Sequence, residues 1–132
     1  MLSADDRIAI TDLINRHGHF VDNGQLDRMH EILADDVAYD VTDLGGGVLN
    51  GVAELNAAAL ALGQGNPLAH HVTNIVLDAG EDGVVTASSK GIGIMANGSI
   101  GSVTYKDRVE RRKEGWRIVH RTVLRREAPL KP

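Results

Sequence analysis

The 132 residues contain no cysteine, which excludes a disulfide, a thiolate metal site and a thiol nucleophile. Aromatic residues are nearly missing too: Phe20, Tyr39, Tyr105 and Trp116 are the whole set. No apolar run approaches the roughly 20 residues of a membrane-spanning helix, so a membrane role is not expected. The opening MLSADDRIAI lacks the basic start and apolar stretch of a secretory leader, and the expected location is cytoplasmic. Bases are scarce in the first part of the chain. Residues 1–83 hold fourteen acids and three bases, whereas residues 84–132 hold eleven bases and four acids. That split argues against nucleic acid as a partner, since no uniformly basic surface results. It leaves open an anionic ligand or partner near the basic segment.

What remains is ordinary for a globular protein. Hydrophobic residues make up 42% and charged residues 24%, close to the usual mixture. No linker or repeat divides the chain, so residues 1–132 read as a single domain.

The first part reads as helix. Ile10, Leu13, Ile14, His17 and Val21 form one stripe of a 3.6-residue period. Ser3 is placed to cap it, Asp5 and Asp6 suit its N-terminal dipole, and Asn23-Gly24 suits its end. A second short helix is expected with Leu26, Met29 and Leu33 buried. Val37, Tyr39 and Val41 then alternate with polar neighbours as a strand, which Gly45-Gly46-Gly47 breaks. A third helix is expected over Val52–Leu62. Strands follow over His70–Leu77, Val84–Met95, Ile100–Arg112 and Trp116–Arg125, joined by tight turns such as Asn97-Gly98. Helices first and an antiparallel meander afterwards give an α+β fold. A curved sheet around the helices would enclose a pocket.

The candidate chemistry is sparse. Gly45-Gly46-Gly47 lacks the lysine and serine of a phosphate loop. The six histidines, His17, His19, His30, His70, His71 and His120, match no standard ligand spacing, so no metal is expected. Strict alternation in the 70–77 strand would put His70, Val72 and Asn74 on one face. Asp22 ends the first helix, where the dipole disfavours an acid and some other interaction must justify it. Arg121 lies mid-strand with Val119 and Val123 on its own face, either half-buried or reaching to solvent. Arg111, Arg112, Arg125 and Arg126 read as a solvated rim.

Taken in order, the segments DRIAITDLINRHGHFVDNGQLDRM, LADDVAYDV, NGVAEL, HHVTN and YKDRVERRKEGWRIVHR resemble the SnoaL-like branch of the nuclear transport factor 2-like superfamily. The resemblance covers almost the whole chain. It implies a cone-shaped, strongly bent antiparallel sheet wrapped around N-terminal helices and enclosing a pocket. Dehydratase and dehydrochlorinase members use a histidine held by an aspartate, and their motifs fall here on His70 and Asp22. The dehydrochlorinase pattern adds an arginine five residues after a tryptophan, which is Arg121 after Trp116. It also lines the pocket from the positions of His17 and Tyr105, and the H-x-x-x-N pattern brings in Asn74. The tyrosines of the dehydratase members are replaced by Val21 and Val41, which counts against their particular reaction.

The implied activity is that of a lyase or isomerase with no cofactor. It would act on a small, mostly apolar cyclic molecule, with His70 as general base, Asp22 orienting it and Arg121 stabilising a leaving group or oxyanion. The same fold also serves as a non-catalytic small-molecule-binding domain and as the small structural subunit of larger oxygenase assemblies. A homodimer or higher homo-oligomer is expected, with Trp116 and Ile118 as candidates for the contact or for packing.

Overall fold

The computed structural model describes residues 1–131. Helix α1, Ala4–Asp22, starts at a capping box. The Ser3 hydroxyl accepts from the Asp6 N–H at 3.0 Å, and the Asp6 carboxylate accepts from the Ser3 N–H at 3.2 Å. Ile10, Leu13, Ile14 and His17 are buried as their spacing predicts, together with Gly18 and Phe20. The helix ends in a Schellman motif: the Gly24 N–H bonds Val21 O at 3.1 Å and the Gln25 N–H bonds Phe20 O at 2.7 Å. Its last residue is therefore Asp22.

Leu26–Glu31 is a 3-10 turn rather than a helix reaching Leu33. Leu33 instead opens strand β1, Leu33–Asp40, and is fully buried there. The glycine run lies in a hairpin, because a short strand β2, Val48–Asn50, pairs back onto β1. Helix α2 spans Val52–Leu62 as expected. The meander follows as β3 (Ala69–Ala79), β4 (Val85–Ile94), β5 (Ile100–Arg112) and β6 (Gly115–Arg125).

The six strands form one curved, unclosed sheet in the order β2-β1-β6-β5-β4-β3. Every neighbouring pair is antiparallel except β1 and β6, which run parallel. The sheet is thus antiparallel, as expected, except at that one pair. Tight turns enforce antiparallel pairing only between consecutive strands, and β1 meets β6 after the whole intervening chain has returned.

Two irregularities bend the sheet. In β3 the register passes from Thr73↔Lys90 to Val76↔Ser88, so Asn74 and Ile75 face one residue of β4, Ser89. Asn74 takes a φ of 56°, a left-handed conformation that asparagine tolerates better than most residues. In β6 an extra residue, Val119, lies between the Arg108↔His120 and Val109↔Ile118 pairs. The core packs α1 against the inner face of the sheet, around Ile10, Ile14, Leu33, Val85, Val109 and Ile118. Each such side chain contributes about 1.5–3 kcal/mol by leaving water.

Helix and edge strand approach closely at Gly18. A Cβ built there would stand 2.6 Å from the backbone oxygen of His70. Backbone yields little in a packed interior. Gly18→Ala is therefore expected to lower stability by about 1–3 kcal/mol in denaturant unfolding, as overpacked positions do. Unchanged stability would show that α1 and β3 separate more freely than their contact implies.

Candidate functional site

The end of α1 and the start of β3 meet at one carboxylate. Asp22 Oδ2 accepts from the His70 backbone N–H at 2.9 Å, and Asp22 Oδ1 lies 2.6 Å from His70 Nδ1. The strand N–H is available because β3 is an edge of the sheet. Two bonds from one residue to one carboxylate fix both the backbone and the ring of His70. With Nδ1 donating to Asp22, Nε2 is left as the basic nitrogen. Both side chains are about one-fifth exposed, His70 at 18% and Asp22 at 21%.

His70 lines both lobes of a cavity between α1, α2 and the sheet. One lobe holds about 410 Å³ and is walled mainly by aliphatic groups such as Leu26, Met29, Leu49, Leu55 and Leu62. The other holds about 340 Å³ and runs toward Gly93, Met95, Ile100, Val103 and Tyr105. His17, Tyr39, Val41 and Leu44 belong to both. The volumes suit a small organic molecule, and the few polar groups would set its orientation.

Those polar groups form a layer across the cavity floor. The His17 ring lies edge-on to His70 with centroids 6.5 Å apart, and stacks on Tyr39 at 5.9 Å. His17 Nε2 and the Tyr39 hydroxyl are 3.1 Å apart. Burial pushes the His17 pKa well below its ordinary value, and the neighbouring Arg121 and His70 act in the same direction. His17 is thus a neutral imidazole. Burial likewise raises the Tyr39 hydroxyl, and pushes Tyr105 up to about 12. Both tyrosines remain protonated donors throughout the neutral range.

Behind the tyrosines lies a buried ion pair. Arg121 Nε and Nη2 donate to the two carboxylate oxygens of Asp107 at 2.7 and 2.9 Å, and both side chains are fully enclosed. The Arg121 guanidinium lies 4.3 Å from the Tyr105 ring centroid and 5.9 Å from that of Tyr39. Arg121 does point inward, but it lines neither lobe. The reading that places it against substrate is corrected: its charge is spent on Asp107, and two rings stand near it. Asp107 is not among the residues singled out by the sequence. The signal for it was the β5 alternation, in which Val103, Tyr105, Asp107 and Val109 turn the same way.

Asn74 is also corrected. It is exposed and lies outside both lobes, because the β3 bulge ends the strict alternation after Val72. Of the two readings of Ile118, an outer-face contact and packing, packing holds. The extra residue in β6 turns it into the core at 0% exposure. Trp116 is half-buried, and its indole N–H donates to Asp6 at 3.2 Å, tying β6 to the start of α1. Tyr39, read from the sequence only as a strand residue, proves to be part of the cavity floor.

A family model described as a SnoaL-like domain matches residues 3–122. No curated protein matches the sequence. Among solved structures, an NTF2-like protein with a cystatin-like fold from Novosphingobium aromaticivorans is 26% identical. The match covers 92% of this chain and 82% of that one, with a TM-score of 0.75. LinA is 25% identical over 94% of this chain and 88% of its own, with a TM-score of 0.77. The hexachlorocyclohexane dehydrochlorinase LinA-type3 from Novosphingobium barchaimii is 23% identical, covers 97% and 94%, and has a TM-score of 0.77. At that identity the last likeness speaks for the fold alone.

The buried neutral His17 makes stability depend on pH with a definite sign. Its folded pKa lies below the unfolded value of about 6.5, so the unfolded chain binds the extra proton first. Stability from this residue is complete above that value and declines as pH falls below it. Thermal unfolding of wild type should lose ground against His17→Gln as pH is lowered from about 7.5 to about 5. A pH-independent difference between the two proteins would show that His17 titrates as an exposed histidine does.

Proposed function

This chain belongs to the SnoaL-like domain family, and on that premise we propose that it is a cofactor-independent lyase or isomerase for a small, mostly apolar cyclic substrate. The observation that carries the proposal is the fixed His70 beside an aliphatic cavity. Asp22 holds the imidazole at 2.6 Å through Nδ1, so Nε2 is the nitrogen free to take a proton. The carboxylate would also stabilise the imidazolium formed on proton uptake. Substrate bound among the leucines, with a C–H bond toward Nε2, would lose that proton to His70. The electron pair left on carbon would then expel a β-substituent, or return to a proton at a neighbouring carbon. The first course is elimination and the second isomerisation. His17, neutral and bonded to Tyr39, contributes polarity to the floor without competing as a cation.

The resemblance of the Asp22 and His70 segments to those of dehydrochlorinase members supports the elimination side of this reading. The wall of this cavity does not single out a halogenated substrate.

The test is carbon-bound deuterium uptake from D2O into a panel of small cyclic ketones, hydroxyketones and lactones. Wild type is expected to catalyse exchange into at least one of them. His70→Ala should reduce the rate by about 10²–10⁴-fold, the range for loss of a general base. Asp22→Asn should also lower it, with circular dichroism unchanged. Full exchange by His70→Ala would remove this histidine from the chemistry.

A further inference from the structure

The buried Asp107–Arg121 pair does no work in the proton abstraction just described. Enclosing two charges is costly, and such a pair is weak evidence of added stability. Of the two rings beside it, that of Tyr105 is the nearer. The Arg121 guanidinium lies 4.3 Å from the Tyr105 centroid. On the neighbouring strand, Gly91 leaves space that Tyr105 fills: a Cβ there would come within 2.5 Å of Cε2 and 2.8 Å of the hydroxyl oxygen. Guanidinium and glycine together leave the ring one seat.

The hydroxyl on that ring is free. Among the described residues Tyr105 Oη has no hydrogen-bond partner. It is not among the enclosed unpartnered atoms, which are His17 Nδ1, Asn56 Oδ1, Ser89 Oγ and Arg121 Nη1. Its open side is therefore the lobe that Tyr105 shares with His70.

We propose that Asp107, Arg121 and Gly91 are positioning residues that hold Tyr105 so that its hydroxyl donates a hydrogen bond to a carbonyl oxygen of the substrate. This rests on His70 as the base and narrows the substrate to ketones and enones. An imidazole removes a proton from carbon more readily where the electron pair can move onto oxygen. The proton goes from the α-carbon to His70 Nε2. The former C–H pair becomes the enolate double bond, and the carbonyl π pair moves to oxygen, facing the Tyr105 O–H. Collapse of the enolate then either expels a β-hydroxyl, which leaves as water with the His70 proton, or, from a β,γ-unsaturated ketone, takes that proton back at the γ-carbon to give the conjugated enone. A donor aimed at oxygen stabilises the charge where it develops.

The experiment compares binding of cyclohexanone with methylenecyclohexane, which has the same shape but no acceptor, followed by ligand-detected NMR. The preference of each protein for the ketone is the readout, so differences in transfer from water cancel between variants. Tyr105→Phe is expected to lower that preference by about three- to tenfold, as loss of one neutral hydrogen bond does. Gly91→Ala, which keeps the hydroxyl but displaces the ring, and Arg121→Lys, which keeps a charge but loses the planar fork, should lower it similarly. With [1-13C]cyclohexanone, the bound carbonyl resonance should move upfield in Tyr105→Phe as the donor is lost.

No measurable binding of cyclohexanone to wild type, or an unchanged preference and resonance in Tyr105→Phe, overturns the proposal. An effect in Tyr105→Phe that is missing from both Gly91→Ala and Arg121→Lys overturns the positioning role. Should Arg121→Lys fail to fold, Gly91→Ala decides it, since its backbone accepts alanine without a left-handed φ. His70→Ala should leave the ketone preference in place. A preference that survives there while wild type shows no deuterium exchange would sink the base and leave the donor standing.

Discussion

The carboxylate of Asp22 joins the two halves of the molecule. It sits at the end of a helix, where the aligned peptide dipoles make a negative charge unfavourable. Two donors from a single residue of β3 offset that cost. One is the strand N–H that an edge leaves unpaired, and the other is the imidazole. The Schellman stop at Gly24 places the helix end there, and Gly18 lets the helix lie against the His70 backbone. The orientation of His70 thus depends on where a helix stops and on which strand forms the edge.

The second constraint is a polar layer beneath an otherwise aliphatic cavity. His17, Tyr39, Tyr105, Arg121 and Asp107 come from α1, β1, β5 and β6, and nearly all their surface is withdrawn from water. In such surroundings each polar group needs a partner or becomes costly. Arg121 and Asp107 answer one another within the sheet. The charge division along the chain therefore does not become a pairing of helix with sheet inside the cone. The enclosed acid comes from the basic half itself, and Asp22 meets an imidazole.

Much of the architecture was legible from local pattern. The α1 stripe, the capping position of Ser3, the stop at Asn23-Gly24, the extent of α2 and the four-strand meander follow from periodicity and turn chemistry, which act over a few residues. The pairing of Asp22 with His70 came from motif resemblance, since nothing within either segment points to the other across 48 positions. Where strict alternation was extended through a strand it failed at the bulges. Asn74 turned out of the cavity and Ile118 turned into the core, because one extra residue reverses every face beyond it.

By itself the sequence determined the α+β class, the order of the elements and the scarcity of aromatic wall, since these depend on composition and short-range periodicity. It also placed an arginine between two valines on the last strand, without deciding which way it turns. Only the tertiary structure decided what that arginine meets. Strand register set Asp107 against Arg121 across β5 and β6, and put Tyr105 and Tyr39 near its guanidinium. The parallel contact of β1 with β6 brought Tyr39 to His17. Such contacts between distant residues depend on sheet curvature and register, which are settled only when all the strands pack together.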